Sequence, residues 1–181
     1  MKILTLVLEK YQDIELVGVI STLNNSGQLE KITYYNPNEK TNIFGSNKIG
    51  SIMTVSTYDI KDYDAIFIPG GEAAQELRVN QIALNVVKDF IDNDKYIISM
   101  CDSPNALCDA KLLTDKKYVS YPIQGIEKSA CPNRVSDQVV MVDGKYITGR
   151  GPSSSLELGL KVIEILISKK KSDEVRSGLF A

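Results

Sequence analysis

Residues 97–107 read IISMCDSPNAL. The apolar run Tyr96–Met100 indicates a short strand buried on both faces of a parallel sheet. Pro104 fits the first turn of a helix that follows at once. Cys101 then occupies the sharp turn between strand and helix, the arrangement of a nucleophile elbow. The helix N-terminus and free backbone N–H groups would lower the pKa of a thiol placed there, although a small buried hydrophobic cysteine fits the spacing equally well.

Strands and helices alternate on both sides of this stretch. Asp143-Gly144 is a strong hairpin signal, and the Asn-, Gly- and Ser-rich region 36–57 fits a small hairpin. The other predicted strands are residues 2–8, 29–35, 64–68, 139–142 and 146–148. This alternation predicts one α/β domain, residues 1–181, with a mostly parallel central sheet. Ligands in such sheets bind beyond the carboxyl ends of the strands.

Three stretches have the apolar spacing of helices. Residues 13–26, closed by Gly27, carry Ile14, Val17 and Leu23 at helical spacing. In residues 80–93 one face is predicted to hold Ile82, Val86, Val87, Phe90 and Ile91. The third helix follows Pro152, with Ser154 and Glu157 as a candidate capping box, and extends to about residue 168. Lys169-Lys170-Lys171 then favour its negative end, with a membrane or nucleic acid contact as the alternative.

The composition excludes several classes of function. The chain has no histidine, so Ser–His–Asp triads, Cys–His dyads and histidine-ligated metals are excluded. Acid–base chemistry must come from carboxylates, Cys, Lys, Tyr or water. Against 21 Lys plus Arg stand 23 Asp plus Glu, a net charge of −2 that gives no reason to expect a nucleic acid partner. No window approaches the ~18 apolar residues of a membrane span, and the N-terminus resembles a first strand more than a signal peptide.

The three cysteines, Cys101, Cys108 and Cys131, are odd in number and have no CxxC spacing. This pattern argues against a disulfide framework and against a zinc site, and it predicts reduced thiols in the cytoplasm. Cys108 is expected to be a core residue, with the side of the helix that carries Cys101 as the alternative. Cys131 is expected in a loop, where an exposed oxidation site or a resolving thiol for Cys101 is the alternative to an inert residue.

Three further residues stand near Cys101 in the predicted topology. Gly70 and Gly71 end the strand next to it, where glycine allows close backbone approach and can present an N–H to an oxyanion. A turn that needs a positive φ is the alternative. Glu15 interrupts an apolar stretch early in the first helix, and it is either a site carboxylate or a partner of the helix dipole.

Together these residues resemble the ThiJ/PfpI (DJ-1) superfamily over nearly the whole chain. The landmarks, in order, are Asp13-Ile14-Glu15, Phe67-Ile68-Pro69-Gly70-Gly71, Met100-Cys101 with Ala106-Leu107, and Arg150-Gly151-Pro152. The resemblance implies a flavodoxin-like three-layer sandwich, a homodimer and no cofactor or metal. It further implies that Cys101 is the nucleophile, Glu15 its proton-sharing carboxyl partner, and Gly71 and Asp102, with Gly70, the backbone donors. The pKa of a glutamate beside a thiolate should be raised.

Three positions depart from the pattern of that superfamily. Tyr121-Pro122 stands where a His-Pro pair is frequent, and a tyrosine is a poor base at neutral pH. Asp102 places a negative charge directly after Cys101, and this charge would oppose thiolate formation if it pointed inward. Ser21 replaces a frequent aspartate. Tyr121, Pro122 and Arg150 remain candidate pocket residues.

The sequence supports two principal functional hypotheses. The first is a cysteine-dependent, cofactor-free stress-response protein that acts on reactive dicarbonyls in the manner of a glyoxalase or deglycase. The second is a redox sensor or chaperone-like protein in which Cys101 is oxidised to a sulfinate without turnover. A cysteine peptidase ranks lower because the histidine is missing, and a noncatalytic scaffold remains an alternative. The predicted partners are a small reactive carbonyl or an oxidant and a second copy of the chain.

Overall fold

A central sheet with helices on both faces forms the body of the protein. The computed structural model describes residues 1–122 and 131–180. The strands in these ranges are β1 (Lys2–Leu6), β2 (Lys31–Tyr35), β3 (Asn42–Phe44), β4 (Ser51–Met53), β5 (Ala65–Ile68), β6 (Tyr96–Met100), β7 (Val140–Asp143) and β8 (Tyr146–Gly149). Six of them form one sheet in the order β2-β1-β5-β6-β8-β7, and β3 pairs with β4 as a separate hairpin. The main sheet is parallel except for its β7–β8 hairpin, as the sequence predicts.

The central strands are apolar throughout because both of their faces are covered. Along β5, Ile66 and Ile68 belong to one core cluster and Phe67 to the other. The helices are α1 (Asp13–Asn25), α2 (Ala73–Val79), α3 (Gln81–Asp92), α4 (Ser103–Asp109), α5 (Ser155–Leu166) and α6 (Lys169–Phe180). Helices α2, α3 and α4 pack on one face, and α1, α5 and α6 on the other. This is the predicted three-layer α/β sandwich, and among its described helices none is long and apolar enough to cross a membrane.

Two helix faces differ from the prediction. In α1, Ile14 and Val17 are 56% and 60% exposed, while the buried apolar face consists of Leu16, Val19, Ile20 and Leu23. In α3, Ile82 is exposed although Val86, Val87 and Phe90 are buried as expected. Helical spacing finds an apolar stripe, but it cannot tell which of two neighbouring stripes meets the sheet. Helix α2 was not predicted at all, because its seven residues make only about two turns, too few for an apolar stripe to repeat.

The third predicted helix also begins differently. Residues Pro152–Ser154 form a 3-10 turn, and Ser154 is bonded to Gly151: its Oγ accepts from the Gly151 N–H over 3.1 Å and donates to the Gly151 carbonyl over 2.7 Å. The predicted capping box is therefore wrong, and Glu157 instead pairs with Arg176. The lysine run starts the separate helix α6, where Lys169 and Lys171 form ion pairs with Asp173 and Glu174.

Cys108 and Cys131 form a disulfide, with their Cα atoms 5.9 Å apart. Both residues are buried, and the backbone N–H of Cys131 donates to Cys108 Sγ over 2.9 Å. The expectation of three reduced thiols without a disulfide is wrong, and the alternatives of Cys131 as an exposed oxidation site or as a resolving thiol for Cys101 do not hold either. A separation of 23 residues in the chain, without a CxxC motif, gives no local signal for the pairing. Cys101 is left as the free cysteine among the described residues.

Candidate active site

Cys101 lies at the carboxyl end of β6 in a backbone conformation that side chains rarely adopt. Its φ is +59°, in the left-handed region, which costs about 1–2 kcal/mol for a residue with a Cβ. The backbone is fixed on both sides: the Cys101 N–H donates to the Gly149 carbonyl over 2.9 Å, and the Cys101 carbonyl accepts from the Tyr121 N–H over 2.8 Å. The residue is 8% exposed. The predicted elbow is therefore present, and it presents the side chain to the edge of the sheet.

Glu15 reaches the same point from α1. The Gln12 N–H donates to the Gly70 carbonyl over 3.0 Å, which fixes the start of α1 beside the end of β5. In the first turn of that helix, Glu15 is fully buried. Its Oε2 accepts from the Gly70 N–H over 2.7 Å. Its Oε1 is buried without a well-aligned hydrogen-bond partner in residues 1–122 and 131–180. One carboxyl oxygen is thus fixed, and the other is free to meet a proton on Cys101 or on a ligand.

The side chains of Glu15 and Cys101 shift each other's pKa. Burial raises the pKa of Glu15 to about 7, and hydrogen bonds from Cys101 and Gly70 act in the opposite direction. Burial, followed by the negative charge of Glu15, raises the pKa of the Cys101 thiol. The predicted rise in the pKa of Glu15 is confirmed in direction, but its cause is burial and not repulsion by Cys101. The predicted fall for Cys101 is wrong, because desolvation outweighs the backbone N–H groups that stabilise its thiolate.

Those stabilising N–H groups belong to Gly71 and Asp102, which face the Cys101 sulfur and act to lower the pKa of its thiol. Gly71 has a φ of +92°, and a Cβ there would lie 2.6 Å from the Gln12 nitrogen. At Gly70 a Cβ would lie 2.5 Å from the Cys101 Cβ, so glycine is required by close approach. The N–H of Gly70 is engaged by Glu15 and not by the thiol. Of the three predicted backbone donors, two therefore face the sulfur and the third holds the carboxylate.

The side chain of Asp102 does not face the thiol. Its carboxylate is bound by Arg78, Gln75 and Asn105, on the side of α2 and α4. Sequence analysis missed Arg78 and Gln75 because it missed α2, and nothing in the local pattern around either residue marks it as a partner of Asp102.

The three candidate pocket residues are placed unequally. Tyr121 is bonded to Cys101 through its backbone, and its ring packs on Gly151, where a Cβ would meet it at 3.3 Å. Pro122 is exposed at the end of this described segment. Arg150 donates its backbone N–H to the Val139 carbonyl over 2.9 Å, and its guanidinium forms no ion pair with a described residue. The structure thus joins Tyr121 to the elbow, whereas Pro122 and Arg150 form no hydrogen bond with Cys101.

The chemistry available at this edge is that of a thiol and a carboxyl group sharing a proton beneath two backbone donors. Within the part of the chain that is described, no group of three or more Cys, Asp or Glu side chains could hold a metal ion. Glu15 and Cys101, with water, are the groups at this edge to which acid–base steps can be assigned.

Comparison with known proteins gives a consistent result. The model of the DJ-1/PfpI family matches residues 1–165. A Pyrococcus horikoshii protein named Deglycase PH1704 is 29% identical over 157 residues, which are 84% of this chain and 92% of that protein. The Arabidopsis thaliana protein DJ-1 homolog A is 31% identical over 172 residues, 92% of this chain and 43% of the longer homolog.

Solved structures of DJ-1 proteins superimpose on this chain over almost its whole length. Drosophila melanogaster DJ-1beta superimposes with a TM-score of 0.87 at 23% identity, covering 100% of this chain and 99% of that one, which shows the shared fold. Toxoplasma gondii DJ-1, described as oxidized, has a TM-score of 0.87 at 27% identity and covers 99% of this chain and 97% of that one. The family match extends across the elbow, the Gly70-Gly71 turn and Glu15. This chain belongs to the DJ-1/PfpI family.

Proposed function

We propose that this chain is a cysteine-dependent, cofactor-free stress-response protein that acts on small reactive dicarbonyls such as methylglyoxal. The observation that carries the proposal is the buried Glu15–Cys101 pair beneath the N–H groups of Gly71 and Asp102. Relatives named deglycases, including the Pyrococcus horikoshii protein, support the substrate class.

In the proposed reaction, Glu15 carries both the proton of the thiol and the proton of the substrate carbon. As Cys101 Sγ attacks the aldehyde carbon, the Glu15 carboxylate accepts the thiol proton and returns it to the carbonyl oxygen, giving a hemithioacetal. Glu15 then removes the hydrogen of that carbon as a proton and delivers it to the neighbouring carbon, while the hydroxyl proton on the first carbon passes to the oxygen of the second, leaving a thioester of lactate. Water hydrolyses the thioester and restores the thiol. The net reaction adds one water to methylglyoxal and gives lactate. A carboxyl group with a pKa of about 7 can both accept and donate protons at neutral pH.

The test is lactate formation from methylglyoxal by the purified protein. We expect turnover in the wild type and loss of it in Cys101→Ser and in Glu15→Gln. Glu157→Gln is the matched control, because Glu157 pairs with Arg176 on an exposed surface of α5. Wild-type lactate formation no faster than in buffer, or activity retained in Cys101→Ser, would contradict the proposal.

The second candidate is oxidation of Cys101 to a sulfinate. The two N–H donors that face the sulfur would also bind a sulfinate oxygen, and a protonated Glu15 could donate to another. The Toxoplasma gondii relative is described as oxidized. Two molecules of peroxide convert the thiol to the sulfinic acid and leave two of water. We expect a gain of about 32 Da on the Cys101 peptide alone. A Cys101 peptide that stays unmodified under peroxide would contradict this role. If the protein also formed no lactate from methylglyoxal, the noncatalytic scaffold would be the remaining hypothesis.

We further propose that the chain forms a homodimer through an exposed apolar face. This face consists of Ile14 and Val17 on α1 and Ile49 in the turn between β3 and β4. An apolar cavity of about 290 Å³ lies between helix and hairpin. Contiguous exposed apolar residues of this kind are typical of protein interfaces. A second copy is the partner that the family resemblance implies. The cytoplasmic location stays a prediction.

A further inference from the structure

We propose that Arg78 is a positioning residue that holds the Asp102 carboxylate away from Cys101 and neutralises it, so that Asp102 serves the site through its backbone alone. This inference rests on the proposed role of Cys101 as a nucleophile. It addresses the departure that the sequence left open: an acidic residue directly after the reactive cysteine.

The contacts of Asp102 account for both of its oxygens. Arg78 Nη1 donates to Oδ2 and Nη2 to Oδ1, each over 2.8 Å. This two-pronged contact is the strongest geometry between an arginine and a carboxylate. Gln75 adds a bond to Oδ2 over 3.0 Å, and Asn105 adds one to Oδ1 over 2.8 Å. The carboxylate is thus saturated on the side away from the sulfur.

Burial strengthens the electrostatic effect of the Arg78–Asp102 ion pair. The side chains of Arg78 and Asp102 are 18% and 8% exposed, so the pair is poorly screened by water. An unpaired carboxylate at this depth would be strongly unfavourable and would repel a thiolate on the preceding residue. The charged groups tied to this turn by contacts among the described residues are Glu15, which raises the pKa of the Cys101 thiol, Asp102 and its partner Arg78. Arg78 is the positive charge in this set.

Arg78 also joins the two segments that carry the donors. Gly71 lies just before α2, and Asp102 lies just before α4. Arg78 lies on α2 and binds Asp102 as well as Asp109 at the end of α4, its Nε donating to Asp109 Oδ2 over 2.8 Å. One guanidinium therefore fixes the two N–H groups relative to each other. Asn105, which also holds Asp102, reaches the carbonyl of Tyr121 over 3.3 Å.

A charge role and a purely structural role make different predictions for a double variant. Arg78→Gln leaves Asp102 charged and without its main partner. We expect the pH midpoint for alkylation of Cys101 by iodoacetamide to rise by about one unit, an approximately tenfold slower reaction below the midpoint. Adding Asp102→Asn removes the charge but restores no arginine contact. We expect the double variant to return toward the wild-type profile.

Arg176→Gln is the matched control, since Arg176 makes the same two-pronged contact with Glu157 away from the site. Its alkylation profile should match the wild type. The inference is overturned if Arg78→Gln leaves the profile unchanged, or if the double variant is as slow as the single one, which a structural role would produce. Alkylation needs no turnover, so its result is independent of lactate formation, whose absence in the wild type would instead contradict the proposed function.

Discussion

The backbone N–H of Gly70 donates to Glu15 Oε2 over 2.7 Å, across 55 positions of the chain. This bond fixes a fully buried carboxyl group at the end of β5, next to the turn that carries Cys101. Oε2 of Glu15 is held by this bond, and Oε1 is free. We therefore expect both the stability of the fold and the reactivity of the Cys101 thiol to depend on whether Glu15 is protonated.

Replacing Glu15 with glutamine should stabilise the protein at alkaline pH. The pKa of Glu15 is about 7 in the fold against an ordinary value of 4.5, so its ionisation favours the unfolded chain. Stability from this group is complete below pH 4.5 and is lost as the pH rises through 7. The loss amounts to about 3 kcal/mol. Urea unfolding should therefore show Glu15→Gln gaining on the wild type at pH 8 and much less at pH 5.

Glu157→Gln serves as the control, because its effect on stability at pH 8 should be opposite in sign. Its hydrogen bond with Arg176 lowers the pKa of Glu157, so removing the carboxylate should destabilise the protein at pH 8. A gain for Glu15→Gln that is the same at both pH values would show that the glutamate is not protonated near neutrality.

The same variant should separate reactivity from turnover. The charge of Glu15 raises the pKa of the Cys101 thiol, so Glu15→Gln should react faster with iodoacetamide at pH 8. Lactate formation should nevertheless be lost, because the amide cannot accept the thiol proton. If Glu15→Gln loses both alkylation and turnover, then Glu15 maintains the structure of the elbow and its role in proton transfer is contradicted.

Backbone strain at position 101 can be measured with two small substitutions. Cys101→Ala keeps a Cβ in the left-handed region, and Cys101→Gly removes it. We expect the glycine variant to be more stable than the alanine variant by about 1 kcal/mol. In the interior of α4, Ala106→Gly should have the opposite effect and destabilise by about the same amount. Equal stability of the two Cys101 variants would show that the elbow is unstrained.

The disulfide should contribute measurably to stability. Closing a loop of 23 residues in the unfolded chain corresponds to about 3 kcal/mol. The double variant Cys108→Ser, Cys131→Ser should lose this amount in urea unfolding, and reductant should lower the stability of the wild type but not that of the variant. Equal stability of the wild type with and without reductant would contradict a structural role for the bond.

Charge in the exposed apolar face should prevent dimer formation. Val17→Glu places a carboxylate in the centre of the proposed interface, and light scattering after gel filtration should then report the monomer mass. Val79→Glu is the control, because Val79 is likewise an exposed valine but lies on α2, outside the face. A monomeric wild type, or an unchanged dimer in Val17→Glu, would contradict the proposed interface.

The strands were predictable because their chemistry is local. β6 has the bounds that its apolar run indicates, and the Asp143-Gly144 hairpin forms as expected. The exposed side of α1 was not predictable, since Ile14 and Val17 are as apolar as the residues that pack on the sheet. Apolar spacing alone does not separate a face that meets the core from one that meets another chain.

The site was predictable in its members but not in its electrostatics. Cys101, Glu15 and Gly71 are marked by their positions after strands or at the start of a helix. The rise in the pKa of Cys101 depends on how completely the fold excludes water, and the pairing of Asp102 with Arg78 depends on how α2 packs on α4. Both are properties of tertiary packing between segments distant in the chain, which no short motif records.

The parallel pairing of β1 with β5 has a consequence for how the protein acquires its chemistry. Glu15 and Gly70 can meet only after β5 has docked beside β1, and parallel pairing closes long loops that form slowly. We therefore expect the Glu15–Cys101 pair to be assembled late in folding, together with the sheet and not before it. In a pulse-labelling refolding experiment, the rate at which the Cys101 thiol is labelled would report when the native topology is complete.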